Sequence, residues 1–328
     1  MKAPRAKKAK AAVAPEPGAA DAAADSAEAA QPEIPRARIV GLLREARALE
    51  ELLERLADAG RIGTTRPAGD ARTAMIGAGI ALQPGDLLFG TARDLPAALA
   101  RGANLELVLR QAFAVSGDPA LGRGLPGALQ DASLGLRLGD GGAANHLVHA
   151  AGFGHAARIR REPRVAVALF GSAAQAQGDV HAALGFAAVY KSQTIFVARG
   201  PIEDELWLDE IGDAWGIRAV RAAGDDAGAV YAAVAEARAR AVCGEGPTVI
   251  DARLCTPAQP VDERIFRDSQ VQDAAALATV AADIRRRLTE ARAAAESAVP
   301  ISEATLPTEV FAVAPWFLAR RTPTERAP

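Results

Sequence analysis

The junction in this chain best suited to chemistry is the run "ALFGSAAQAQGDVHAALGF" (168–186). An apolar strand runs into Gly171 and a helix follows, a geometry that presents phosphates or metal ions at strand ends. The turn residue is Ser172, a neutral hydroxyl where a charged ligand is expected. His146 and His149 form a second candidate group at the start of another helical run. Either His146 hydrogen-bonds a ligand with His149 beside it, or both cap or pack at a subunit surface.

Other residues are better explained by structure. "GDGG" (139–142) lies in a loop before a helix, so it is expected to be a turn. Asp226 in "GDD" (224–226) is expected to N-cap the helix that follows. Cys255 has no histidine nearby in sequence to lower its pKa and is expected to be inert. His155 is expected on an exposed helix face, and His181 in a packing or interface role.

The elements that must position these groups follow from pattern. Of 328 residues half are apolar, alanine is abundant and aromatics make up 4%, as in alanine-rich helices packed closely on a sheet. Apolar runs at 165–170 ("VAVALF"), 194–198 ("TIFVA") and 247–251 ("PTVID") read as strands buried on both faces. A shorter strand is expected at 217–220. Helices are expected at 144–161, 179–190, 203–215 and 227–242, with a long one at 271–295. Strand and helix alternate, so the fold class is α/β, a parallel sheet with helices on both faces. Upstream, Ile39, Leu42, Leu43, Ala46, Leu49, Leu52, Leu53 and Leu56 mark an amphipathic helix ending before Gly60. Gly- and Pro-rich loops are expected next, broken by a helix at 105–113, with loop again over 121–145. Ligand positions in such sheets lie beyond the strand carboxyl ends, here 171–178, 198–204 and the loop after Asp251.

Residues 1–35 carry five basic residues and then an acidic Ala/Pro-rich stretch. This composition predicts a disordered tail, leaving 36–328 as one domain. The net charge of −2 excludes a typical nucleic-acid binder. No apolar run approaches the ~18 residues of a membrane span. Two cysteines without a spacing partner suit a reducing cytoplasm.

Long collinear stretches give the chain a family resemblance, from about 44 to 314. "FGSAAQAQGDVHAALGFAAVYKSQTIFVARGP" (170–201) and "WGIRAVRAAGDDAGAVYAAVAEARARAVCGEGPTVIDA" (215–252) carry most of it. "LQPGDLLFGTARDLPAALARG" (82–102) and "LPTEVFA" (306–312) add to it. The chain resembles the alpha subunit of the first component of 2-oxo acid dehydrogenase complexes, the pyruvate and branched-chain type that uses thiamine diphosphate. The resemblance implies the thiamine-diphosphate-binding fold. It also implies a beta-subunit partner, commonly as α2β2, that supplies a catalytic glutamate, with the acyltransferase core as a further partner.

The resemblance also implies a Mg²⁺–diphosphate site at which this sequence departs from the family. The family's metal ligands are an aspartate in GDG and an asparagine after the next strand; Ser172 and Ala173 replace the end of GDG, and Gly200 and Pro201 replace the asparagine pair. Where the family has Tyr-Arg and then a histidine, this chain reads Ala92, Arg93, Asp94, Leu95. Leu125 and Ala128 break a glycine-rich segment, and 253–266 lacks the family's loop histidine. The cofactor-facing positions that remain are Arg93, His146, Gly171 and Ser172, as vestigial or weak contacts. Neither a metal ligand set nor a catalytic residue is expected.

Three functions follow as expectations. The first is a non-catalytic assembly or regulatory alpha-like subunit without its own thiamine diphosphate and Mg²⁺. The second is an active oxidative decarboxylase of a 2-oxo acid that uses both, with a lipoyl acceptor. The third is an anion-binding module in the old cofactor cleft, using Arg93, Arg123 and helix N-termini.

Overall fold

Strands without a polar face must be covered on both sides, and the computed structural model builds that arrangement. It describes residues 36–201, 208–254, 274–302, 305, 310–313 and 315–316. In chain order the helices and strands are α1 (Arg36–Asp58), α2 (Arg72–Ala81), β1 (Leu87–Thr91), α3 (Leu95–Ala100), α4 (Leu105–Ala112), β2 (Gln130–Asp131), β3 (Leu136–Gly139), α5 (Asn145–Arg160), β4 (Ala166–Gly171), α6 (Gly178–Tyr190), β5 (Thr194–Pro201), α7 (Leu208–Ala214), β6 (Arg218–Ala223), α8 (Ala227–Val242), β7 (Thr248–Leu254) and α9 (Ala274–Glu296).

The strands form one sheet in the order β2-β3-β1-β4-β5-β7-β6. Every pairing is parallel except the β2–β3 edge, which is antiparallel. Alternate residues feed two cores. Leu88, Val167, Leu169, Ile195, Val197 and Ile250 face α1, α2, α3 and α8. Phe89, Ala168, Phe170, Phe196, Ala198 and Val249 face α5 and α6. Contact on the second side is close: a Cβ at Gly154 of α5 would stand 2.6 Å from Ser192 Oγ, hard against the start of β5.

The strands expected at 165–170, 194–198 and 247–251 appear as β4, β5 and β7, and the short one at 217–220 as β6. Gly60 takes the expected left-handed conformation with φ 66°, and Asp226 accepts from Gly228 N and Ala229 N as the expected N-cap. Three expectations are corrected. The Gly/Pro-rich region after α1 contains α2, β1 and α3, and the expected loop at 121–145 contains β2 and β3. The expected parallel sheet stands, with β2 added as a short antiparallel edge. His155 is not exposed on its helix; its ring lies 5.4 Å from Phe186 and 4.7 Å from Tyr190. The expected tail over 1–35, the first part of the helix at 203–215, the start of that at 271–295, Cys255 and the loop over 255–266 lie outside the described residues.

Candidate functional site

The carboxyl ends of β1, β4 and β5 lie side by side in the sheet, and each contributes one polar group. β1 ends at Thr91 and turns through Ala92–Asp94. Asp94 folds back over the strand end, where Oδ2 accepts from Thr91 N at 2.8 Å and Thr91 Oγ1 at 3.0 Å. Gly90 makes room for this return, since a Cβ there would stand 2.8 Å from Asp94 Oδ2. The carboxylate is fully buried.

β5 contributes Arg199, only 6% exposed and in register with Gly171 on β4 and Ala252 on β7. Its Nη2 stands 2.6 Å from Asp94 Oδ1. Because β4 lies between β1 and β5, the guanidinium must cross the carboxyl end of β4 to reach Asp94. The approach is close but not aligned as a hydrogen bond: Asp94 Oδ1 and Arg199 Nη1 are both buried without a hydrogen-bond partner among the described residues. Burial lowers the Arg199 pKa, Asp94 opposes that shift and Arg93 adds to it. Arginine stays charged in proteins, so a permanent cation sits over the strand ends.

β4 contributes Gly171 and then Ser172, which is buried at 4% exposure. His146 occupies the first turn of α5, with Nε2 2.8 Å from Leu169 O. A carbonyl only accepts, so Nε2 carries the proton and donates, and Nδ1 is left as a buried acceptor without a partner among the described residues. Burial lowers the His146 pKa most, with opposing contributions from its Leu169 bond and Asp94 and reinforcing ones from Arg199 and His149.

The structure therefore brings His146 into the electrostatic neighbourhood of Asp94 and Arg199 and sets Gly171 and Ser172 at the same sheet edge. Arg93 is exposed beside them, and Pro201 is exposed at the end of β5. Arg123 stands apart, donating from Nη2 to Thr305 O at 2.6 Å. His149 and His181 are exposed on α5 and α6. Asp140 of "GDGG" accepts from Leu125 N at 3.0 Å, in keeping with a turn.

Sequence reasoning missed Arg199 and Asp94 as a pair. One signal was available: Arg199 extends an apolar run, and a charge on a buried strand requires a partner. A further buried carboxylate, Asp251 on β7, holds Arg253 Nε at 2.6 Å with Arg221 Nε 3.8 Å away. Mg²⁺ requires several hard oxygen ligands in octahedral array. The strand ends offer a serine hydroxyl, a carboxylate already facing a guanidinium, and no side-chain donor at Gly200 or Pro201. Among the described residues no group of three or more His, Cys, Asp or Glu could hold a metal, and no helix is long and apolar enough to cross a membrane.

Comparison with known proteins gives a consistent assignment. The chain is 30% identical over 237 residues to the 2-oxoisovalerate dehydrogenase subunit alpha of Bacillus subtilis, covering 68% of this chain and 72% of that protein. It is 31% identical to the pyruvate dehydrogenase E1 component subunit alpha of the same organism, covering 68% and 62%. With the mitochondrial 2-oxoisovalerate dehydrogenase subunit alpha of Mus musculus it shares 32% identity, covering 54% and 42%, so it spans less than half of that relative. A transketolase structure from Campylobacter jejuni matches with TM-score 0.47 and 15% identity, covering 79% of this chain and 49% of that one. The profile of the family described as "Dehydrogenase E1 component" matches residues 42–299, and the chain belongs to that family, on the side of its alpha subunits.

Proposed function

We propose that this chain is an alpha-like subunit of a 2-oxo acid dehydrogenase complex that holds no thiamine diphosphate or Mg²⁺ of its own. It serves assembly or regulation of the complex, and its partner is a beta subunit in an α2β2 particle. The observation that carries this reading is the buried Arg199–Asp94 pair lying across the end of β4 beside Ser172.

Two physical arguments support it. A guanidinium at the strand ends repels a second cation, and a serine hydroxyl brings no negative charge to offset that repulsion. Cofactor entry would also have to move Arg199 away from Asp94. Leaving a buried carboxylate unpaired costs about 3–5 kcal/mol, which weakens binding by roughly two to three and a half orders of magnitude. Helices α5 and α6 are both kept beside these strand ends, in keeping with a fold retained for assembly.

Titration calorimetry of the full chain, alone and with a beta subunit, tests the reading. The expected result is no saturable binding of thiamine diphosphate with Mg²⁺ at concentrations up to about 1 mM. A micromolar dissociation constant overturns it and favours an active decarboxylase.

A further inference from the structure

Helices α1 and α9 both pack into the core beneath α2, α3 and α8, yet they leave a groove between them of about 530 Å³. From α1 it is lined by Ala48, Leu52 and Arg55, and from α9 by Arg285, Leu288 and Arg292. Each set is spaced by three or four residues, so each is one helical face. Leu52 and Leu288 are buried and form the floor. Ala48, with Ala293 on the other helix, offers nothing longer than a methyl group, which keeps the groove open. Two ion pairs join the helices on either side of it. Glu45 meets Arg287 at 2.7 Å before the groove along α1, and Arg61 meets Glu296 at 3.3 Å after it. The order of these pairs shows that α1 and α9 run in the same direction.

The charges of the lining do not cancel. Its two carboxylates, Glu51 and Glu296, are already neutralised: Glu51 by Arg47 at 3.0 Å, and Glu296 by Arg292 at 3.0 Å as well as Arg61. Arg55 and Arg285 have no carboxylate partner among the described residues. Because the helices run the same way, Arg285 stands before the two leucines and Arg55 after them. An apolar floor with uncompensated cations at its ends suits an anion with an apolar body. A guanidinium offsets the charge of such an anion, and its body gains by leaving water. A bare inorganic anion would leave the leucines wet. A partner helix laid along the groove would run into the two ion pairs that cross from α1 to α9. A shorter ligand fits between them. The seven residues from Ala48 to Arg55 advance about 10 Å, which is the reach of a medium-chain acyl group.

We propose that the α1–α9 groove binds a medium-chain monocarboxylate, with its acyl chain over Leu52 and Leu288 and its carboxylate on an unpaired arginine at one end. None of the strand-end residues lines this groove, so the inference stands apart from whether the cleft binds a cofactor.

Titration calorimetry of the full chain with decanoate tests it. The expected result is a saturable isotherm with a dissociation constant below about 1 mM. Butanoate, which covers less of the floor, should bind at least about tenfold more weakly. Decylammonium, with the same chain and the opposite charge, should not bind. Arg55→Gln with Arg285→Gln removes the cations, and Ala48→Leu with Ala293→Leu fills the groove without touching a charge. Each pair should weaken decanoate about tenfold or more, with circular dichroism as in the parent. The proposal is overturned if decanoate shows no saturable binding up to about 1 mM. Binding that survives either folded double variant overturns it too, as does decylammonium binding as tightly as decanoate. Decanoate reads this groove and thiamine diphosphate reads the cleft, so the two proposals fail separately.

Discussion

Asp86 and Asp94 are buried aspartates on either side of β1, each facing an arginine from far along the chain, and their surroundings are opposite in kind. Asp86, at the amino end, accepts from Gln83 N at 2.7 Å, Val165 N at 3.0 Å and the Arg238 fork at 2.7 and 3.2 Å. Both of its oxygens are used, and the pair ties β1, the start of β4 and α8 together. Asp94, at the carboxyl end, has one oxygen filled by Thr91, while Arg199 approaches the other at 2.6 Å without alignment. Arg199 Nη1 is left over. A satisfied fork of this kind is architecture. A close, incompletely satisfied pair lies instead at the edge where α/β sheets place their ligands, and this is the pair on which the proposed loss of a cofactor site rests.

Mutations can break or sharpen this contrast. The largest effect is expected from Asp86→Ala, which strands two backbone N–H groups and Arg238 and lowers stability by about 5 kcal/mol in urea unfolding. Arg199→Met leaves Asp94 unpaired and should lower stability by about 3–5 kcal/mol. The paired replacements then separate the two sites. Asp94→Asn with Arg199→Met removes both charges while an amide oxygen still accepts from Thr91 N, and should recover to within about 1–2 kcal/mol of the parent. Asp86→Asn with Arg238→Met should stay about 2–3 kcal/mol or more below it, because an amide cannot accept from both Gln83 N and Val165 N. Equal recovery at the two ends would erase the distinction.

Smaller effects come from the groups around the carboxyl-end pair. Burial holds the His146 pKa below its usual value, so the unfolded chain takes up a proton before the folded one does. The stability His146 contributes is present above pH about 6.5 and is lost as pH falls from there through the lower folded-state pKa. Urea unfolding at several pH values should show this slope in the parent and a shallower one in His146→Gln. Arg93→Ala, at an exposed position, should leave the melting temperature unchanged. A clear loss there would mean that Arg93 belongs to the pair's support.

What could be read in advance depended on how local the signal was. β4, β5 and β7 announced themselves as apolar runs buried on both faces. The Gly171–Ser172 turn followed from the strand before it and the helix after it. β1 was hidden because "LLFGT" is short and carries Gly90, whose missing side chain is needed to admit Asp94. α2 was hidden because Gly77 and Gly79 weaken its helical signal. Yet a Cβ at Gly77 would stand 2.4 Å from Ala227 O, so close packing against α8 requires glycine. β3 was obscured by Arg137 and the surrounding glycines. The Asp94–Arg199 pair was legible only in part, because an isolated charge on a strand calls for a partner without saying which. Sheet order, which brings β1 and β5 to either side of β4, is a long-range property that no local pattern carries.

The central claim is that the strand-end cation and the missing oxygen ligands exclude a metal–diphosphate from this chain. Mn²⁺ electron paramagnetic resonance tests it most directly, because the free ion gives a sharp signal that is lost on binding beside a diphosphate. With equimolar full chain, thiamine diphosphate and Mn²⁺, the signal is expected to match that of the same mixture without protein, and to diminish when Ser172→Asp, Pro201→Asn and Arg199→Met are combined. Loss of one equivalent of free Mn²⁺ in the presence of the unmodified chain would contradict the account.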